Sequence, residues 1–364
     1  MKQIIRDLMP IRQLCVSFWA CLIFTNTLNG QALFGRVIDY QSGDPISNAH
    51  VFFANYQSGT YTDDSGYFNL IIPGDFPLQL VLSHVAYNNK TANIRSKQET
   101  KIFEVQLTPR VETLEEVNVT AIFDKEWNRN LKQFTIAFLG NSENSRKCSI
   151  INPQVIDFED VEGYLRAYSD DLIVIENLST GFRLFFLLEY FSMKKDQVSF
   201  AGKPHFEALT TENMKEKNRW NKNREKTFYG SPRHFFMTLI KNNTFAEGYE
   251  ISSGRMDMNN DFIFKGMISA HDLIIQENNK VYLNLRNTLK IIYTKEMDPG
   301  RSKIGMERFA VDNYNQVSYL TSRLAKIRIH ENGILFRPEL ILISGYWARE
   351  GVADLLPFDY YPDE

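Results

Sequence analysis

Between Ala32 and Thr108, a valine- or aromatic-rich run gives way every 8–12 residues to a cluster of Gly, Pro, Asp and Ser, and this spacing limits the fold more than any other feature. The stretch GRVIDYQSGDPISNAHVFF (residues 35–53) holds two such runs around one turn, and DDSGYFNLIIPG (63–74) holds a third. In YFNLIIP, Tyr67, Asn69 and Ile71 fall on one face of a strand, with Phe68, Leu70 and Ile72 on the other. LQLVLSHVAY and KIFEVQLTP complete the set. Short strands so spaced predict an all-β sandwich. Gly43 and Gly66 supply positive φ to the turns, and neighbouring Asp and Ser side chains cap them. These residues build hairpins rather than a site.

The order of those positions resembles a known family. Gly35-x-Val37-x-Asp39, then Gly43-x-Pro45-Ile46-x-x-Ala49-x-Val51, then Thr62-x-x-x-Gly66-x-Phe68 is similar to the carboxypeptidase regulatory-like domain. The resemblance covers residues 31–108 and implies a transthyretin-like β-sandwich that serves as an accessory or binding module, not an enzyme. In Bacteroidetes the same domain opens many TonB-dependent outer-membrane receptors, and LTPRVETLEEVNVTA (107–121) is similar to the stretch just behind the domain in those receptors. A linker over 109–121 with an edge strand at Glu116–Thr120 is one reading of that segment, and a TonB-interacting peptide is the other. The chain beyond Ala121 is too short for a barrel of about 22 strands at roughly 10 residues each plus loops.

From 122 to 364 the composition shifts toward a larger α+β domain dominated by antiparallel strands, so the fold class is mainly β with an α+β part. EDVEGYLRAY is a short helix candidate, followed by strands at DLIVIEN, FRLFFLLEYF and QVSFAG. Thr211 is placed to N-cap a helix over ENMKEKNRWNKNREKTF, which Gly230 stops. Ser231-Pro232 starts the next, with Phe235, Phe236, Leu239 and Ile240 as its buried stripe. Strands resume at GYEIS, DFIFKGMIS, VYLNLRNTLKIIYT, NQVSYL, AKIRIHEN and ELILISGYW. IENLSTGFRLFFLLEYF, NREKTFYGSPRHFFMTLI and GYWAREGVADLLPFDYYP resemble the C-terminal part of exported Bacteroidetes proteins that carry the regulatory-like domain in front. No activity comes with that resemblance.

Residues 1–30 read as a secretory signal peptide: Lys2, Arg6 and Arg12 precede the apolar LCVSFWACLIF and a polar TNTLNG. An uncleaved anchor and a lipoprotein modified at Cys21 are the other readings, though Phe18-Trp19-Ala20 makes a poor lipobox. Removal of the signal leaves Cys148 as a lone cysteine, so stability rests on cores rather than disulfides. With a net charge of −3, nothing attracts nucleic acid, which an exported protein does not meet. The address implied is the periplasm or outer membrane.

Chemistry-bearing motifs are sparse. None of the histidines at 50, 84, 205, 234, 271 and 330 begins the His-x-x-Glu of a metallocarboxypeptidase. His205 and Glu207 share a strand face, but with no third ligand in view they read as a surface polar pair, and no metal or cofactor is assigned. Nucleophile elbows, phosphate loops and dinucleotide fingerprints are missing. Asp63-Asp64, Glu115-Glu116 and Asp170-Asp171 are adjacent pairs whose side chains diverge on a strand.

Two regions are candidate interaction surfaces. The basic helix offers Lys222, Arg224, Lys226 and, just beyond, Arg233; its charges alternatively form a solvated face over inward Trp220 and Phe228. The C-terminal segment offers Trp347, Asp359 and Tyr360 as a groove for sugar or peptide, or packs as a tail held by Trp347 and Leu355-Leu356. The expected function is non-catalytic binding or scaffolding in the envelope, with an outer-membrane or periplasmic protein, glycan or peptide as partner. An accessory of a TonB-dependent uptake system is the alternative, and a hydrolase the third class. A hydrolase requires distant acids such as Asp170 and Asp354 to share a cleft.

Overall fold

A computed structural model describes residues 31–362 apart from 75, 101–102, 111–124, 196, 260, 299–314 and 323. The expected signal peptide, the edge strand Glu116–Thr120, and the linker and TonB-like stretch beyond Arg110 lie outside the described residues.

The N-terminal unit is a sandwich of two sheets. Strands β1 (Ala32–Asp39), β4 (Tyr67–Ile71) and β7 (Phe103–Leu107) form one sheet in the order β4-β1-β7. Strands β2 (His50–Phe53), β3 (Gly59–Tyr61), β5 (Leu78–His84) and β6 (Tyr87–Ile94) form the other in the order β3-β2-β5-β6. The alternation read from YFNLIIP holds, with Phe68 and Leu70 buried and Tyr67, Asn69 and Ile71 exposed. Gly43 and Gly66 adopt φ of 78° and 76°. Thr62 secures a turn from inside, its hydroxyl donating to Ile46 O and accepting from Ala49 N.

The second unit begins with helix α1 (Lys125–Leu139), which the sequence reading missed. Its buried residues Asn130, Phe134 and Phe138 recur every four positions, one stripe on a helix. Six strands come next: β8 (Cys148–Ile150), β9 (Asp157–Val161), β10 (Tyr164–Tyr168), β11 (Ile173–Asn177), β12 (Phe182–Lys194) and β13 (Gln197–Ala208). The helix expected over EDVEGYLRAY is instead the β9–β10 hairpin. Glu162 and Gly163 both take positive φ (55° and 76°), which a two-residue hairpin turn requires and a helix forbids. One edge of β12 pairs with β13 along its length, and the other is shared by β11 and β10. Phe182, Leu184 and Phe186 of β12 face the core under α1, where Phe134 and Phe138 meet Phe191 and Phe186.

Leu187, on the opposite face of β12, packs with Phe52, Ala54 and Val81 of the sandwich. A strand apolar on both faces is covered on both. Backbone bonds Asn55 N→Pro204 O (2.6 Å) and Phe206 N→Tyr56 O (3.1 Å) stitch the same junction. The sandwich is therefore docked on the sheet rather than tethered beside it.

Helices α2 (Met214–Phe228) and α3 (Pro232–Ile240) lead into the third unit. Asn213, not Thr211, N-caps α2, accepting from the amides of Lys215 and Glu216; the Thr211 hydroxyl donates to Glu216 instead. Trp220 and Phe228 pack inward, as the solvated-face reading expects. Gly181 (φ 68°) lies so close to Trp220 that a Cβ there would overlap the indole. Ser231 caps α3 through His234 N, with Pro232 at its first position. Strands β14 (Tyr249–Met256), β15 (Phe262–Met267), β18 (Thr288–Met297), β19 (Asn315–Ser322) and β21 (Ile341–Gly345) form an antiparallel sheet. A short helix α4 (Ala270–Leu273) precedes the small sheet of β16 (Ile274–Glu277), β17 (Lys280–Asn284) and β20 (Lys326–Ile329). The run VYLNLRNTLKIIYT is thus two strands, β17 and β18, in different sheets. Phe235, Phe236 and Leu239 of α3 fill the core between them.

The C-terminal tail joins all three cores in turn. Trp347 enters the third, Val352 the second, and Phe358 packs on that of the sandwich, edge-on to Tyr56 at 5.6 Å.

Candidate functional site

Because the tail, the sandwich and the sheets of the second and third units meet without filling the space between them, they leave a half-open cleft of about 2540 Å³. Ligand pockets for single small molecules are about 300–1,000 Å³, so this one suits an extended occupant. The sandwich contributes Tyr56, Phe76, Arg95 and Lys97, and β12–β13 contribute Tyr190, Phe200 and Lys203. The third unit adds Arg328, His330 and Phe336, and the tail adds Asp359 and Tyr361. Phe336 lies between a stacked His330 ring (3.9 Å) and the Arg328 guanidinium (3.7 Å). Lys203 is ion-paired with Glu189, and burial lowers its pKa. Aromatic faces framed by cations and a few acids can stack on sugar or peptide groups and bind carboxylates.

The residues singled out in the sequence do not form one surface. Lys222 is exposed, and Lys226 makes an exposed ion pair with Glu143 (2.8 Å). Arg224 turns inward and donates to Thr180 O (2.6 Å) and Gly181 O (3.0 Å) over the Phe182 ring. Arg233 holds the tail through Pro357 O (3.1 Å), Tyr360 O (2.9 Å) and Phe358 O (2.7 Å), and reaches Asn332 O (3.2 Å). Trp347 is buried, its indole N–H donating to Gly230 O at 2.7 Å. Tyr360 lies beside Phe228 under that clamp. Arg224, Arg233 and Trp347 are therefore corrected from interaction surface to internal ties, and Tyr360 is held with them through its backbone carbonyl. The polar groups of the first three find backbone partners only once the tail and the 178–181 turn fold over them. Asp359 alone of the set lines the cleft, where it meets Gln57 at 3.4 Å and burial raises its pKa.

The surface-pair reading of His205 and Glu207 is also corrected. His205 is 1% exposed and His50, on β2, is 5% exposed, their rings 5.0 Å apart at the sandwich–sheet junction. Tyr61 stacks on His50 (4.6 Å) and Phe52 on His205 (5.1 Å), while Phe185 meets His50 edge-on. Burial pushes His50 down to about 3, with His205 adding to it, and pushes His205 down to about 4. Both rings are neutral at ordinary pH. Burial raises Glu207, opposed by Arg183 on the neighbouring strand. No sequence pattern links position 50 to 205, because the two meet only when the domains dock.

Two half-buried acids of the tail repeat that theme. Burial first, and then neighbouring acids, hold Glu350 well above the usual carboxylate range; burial also raises Asp354. Asp354 accepts from Asn144 at 2.9 Å. Asp170 is elsewhere, its carbonyl accepting from Asn89 and Arg110, so this example pair does not come together. The Cys148 thiol is pushed up to about 12, by burial first and then by Asp354, which favours the neutral form.

The first unit is thus a sandwich whose turns match the pattern read from residues 35–68. Residues 33–119 match the family model of the CarboxypepD_reg-like domain, so the chain carries that domain at its N-terminal end. No curated protein matches the chain. Among solved structures, a Bacteroides fragilis protein of unknown function described as membrane-associated covers 83% of this chain over 91% of its own, at 10% identity and a TM-score of 0.18. A 9R-lipoxygenase from Cyanothece covers 60% of this chain over 48% of its own, at 12% identity and a TM-score of 0.16. Neither overlay carries weight for fold or function. Among the described residues, no helix is long and apolar enough to cross a membrane.

Proposed function

We propose that this is a non-catalytic binding or scaffolding protein of the bacterial envelope, which holds an extended peptide or glycan segment of its partner in the cleft. The observation that carries this reading is the cleft itself, too large for a single metabolite and lined by aromatic and basic side chains from every unit. The regulatory-like domain supports it as an accessory module. The envelope address rests on the leader-like N-terminus. An outer-membrane receptor of an uptake system is one such partner.

The test is in-cell crosslinking of the tagged full chain, recovered from the envelope fraction, beside a Tyr190→Ala/Lys97→Glu variant. Both changes fall on exposed residues at the cleft wall and leave the cores intact. One envelope protein or glycan captured by the wild type and lost from the variant is the expected result. Capture that is equal in both, or no specific capture, refutes the assignment.

A further inference from the structure

We propose that His50, His205 and Glu207 form a binding site for a divalent transition-metal ion of the zinc type, which locks the sandwich onto the second sheet. Among the described residues, one nitrogen of each histidine and a Glu207 oxygen lie within 4.8 Å of one another. Tetrahedral bonds of about 2.0–2.2 Å place donors roughly 3.3–3.6 Å apart. Binding therefore draws the donors together, and the half-buried Glu207 side chain has torsional freedom to contribute to that movement.

Two buried nitrogens, His50 Nε2 and His205 Nδ1, have no hydrogen-bond partner among the described residues. Their rings are at least 95% removed from solvent, where an unmatched polar atom costs free energy and is uncommon. A metal ion satisfies both. The second nitrogen of His205 is already committed: Nε2 lies 3.3 Å from Gln57 O. Donation there leaves the lone pair on Nδ1, the arrangement in which ligating histidines are held by a backbone carbonyl. Gly59 makes room for that ring, since a Cβ at position 59 would overlap His205. The stacked and edge-on rings of Tyr61, Phe52 and Phe185 fix the imidazole planes.

The donor set selects the ion. Two imidazoles and one carboxylate suit zinc and its neighbours, whereas magnesium and calcium favour all-oxygen shells. Tyr61 is 49% exposed and Glu207 half-buried, so this edge of the cluster borders solvent. None of the three donors lines the cleft, so the site and the proposed binding function stand or fall separately.

The experiment is zinc titration of the chelator-stripped full chain by calorimetry, with thermal unfolding in zinc, in magnesium and without metal. We expect one zinc per chain, a zinc-specific rise in unfolding temperature, and at least tenfold weaker binding in Glu207→Gln. Glu207 is not in the core, so this variant folds; Co²⁺ loaded on the wild type gives a second readout. An intense tetrahedral ligand-field spectrum supports the site, and a weak octahedral one counts against it. Absence of stoichiometric uptake, equal effects of magnesium, or unchanged affinity in Glu207→Gln overturns the proposal.

Discussion

Replacing Arg233 by Ala releases the C-terminal tail. The guanidinium donates to three tail carbonyls, those of Pro357, Phe358 and Tyr360, and sits over the Tyr361 ring at 4.7 Å. Bonds from a charged donor are worth about 1.5–3 kcal/mol each in net terms. The clamp is only half-buried, so freed carbonyls regain water, and bonds sharing one donor group do not add. About 1 kcal/mol per bond, or roughly 3 kcal/mol in all, is the working figure. Tail opening then becomes easier on the order of a hundredfold, at about 1.4 kcal/mol per tenfold. Amide hydrogen exchange reads this directly at Phe358, whose N–H is bonded to Asn55 O at 2.8 Å. The Trp347 amide, bonded to Ser318 Oγ upstream of the clamp, is the internal control and exchanges as in the wild type. Arg233→Lys keeps the charge without the planar fork and restores less than half of the protection. Phe358 exchange within threefold of wild type in Arg233→Ala would refute the argument that this side chain anchors the tail.

Buried polar groups lead to two more expected outcomes. His50, His205 and His234 have folded pKa values of about 3, 4 and 4, against about 6.5 unfolded, burial being the first cause in each. Protons then bind the unfolded chain better, so their contribution is intact above pH 6.5 and is lost as the pH falls toward 4; at pH 5 each costs about 2 kcal/mol. Imidazole NMR signals from these three stay neutral from pH 7.5 to 5, and midpoints near 6.5 for all would contradict the burial argument. Asn177→Ala leaves the Ala353 carbonyl and the amides of Ser179 and Thr180 without their partner inside the protein. A loss of about 2–3 kcal/mol in denaturant unfolding is expected, and a change under 0.5 kcal/mol would show that water replaces the side chain.

The local rules separated the legible features from the hidden ones. Turn glycines 43 and 66, the Ser231-Pro232 helix start and the inward Trp220 and Phe228 were readable because each depends on neighbours within one turn or one strand. The misread EDVEGYLRAY failed where a two-residue turn, Glu162-Gly163, outweighed a weak helical pattern. Helix α1 carried its signal in the four-residue spacing of Asn130, Phe134 and Phe138.

The sequence by itself determined the sandwich, because alternation and turn chemistry are properties of contiguous residues. It also marked FRLFFLLEYF as a strand, though not the layers that cover it. Only the tertiary structure decided what those layers are. Docking the sandwich on β12 and β13 brings His50 to within reach of His205 and Glu207, more than 150 positions away. Folding the tail across three cores turned Arg233 and Trp347 from candidate contacts into internal ties and left the cleft beside them. A polar side chain's role depends on which carbonyl or ring it meets, and for these residues every partner is remote in sequence.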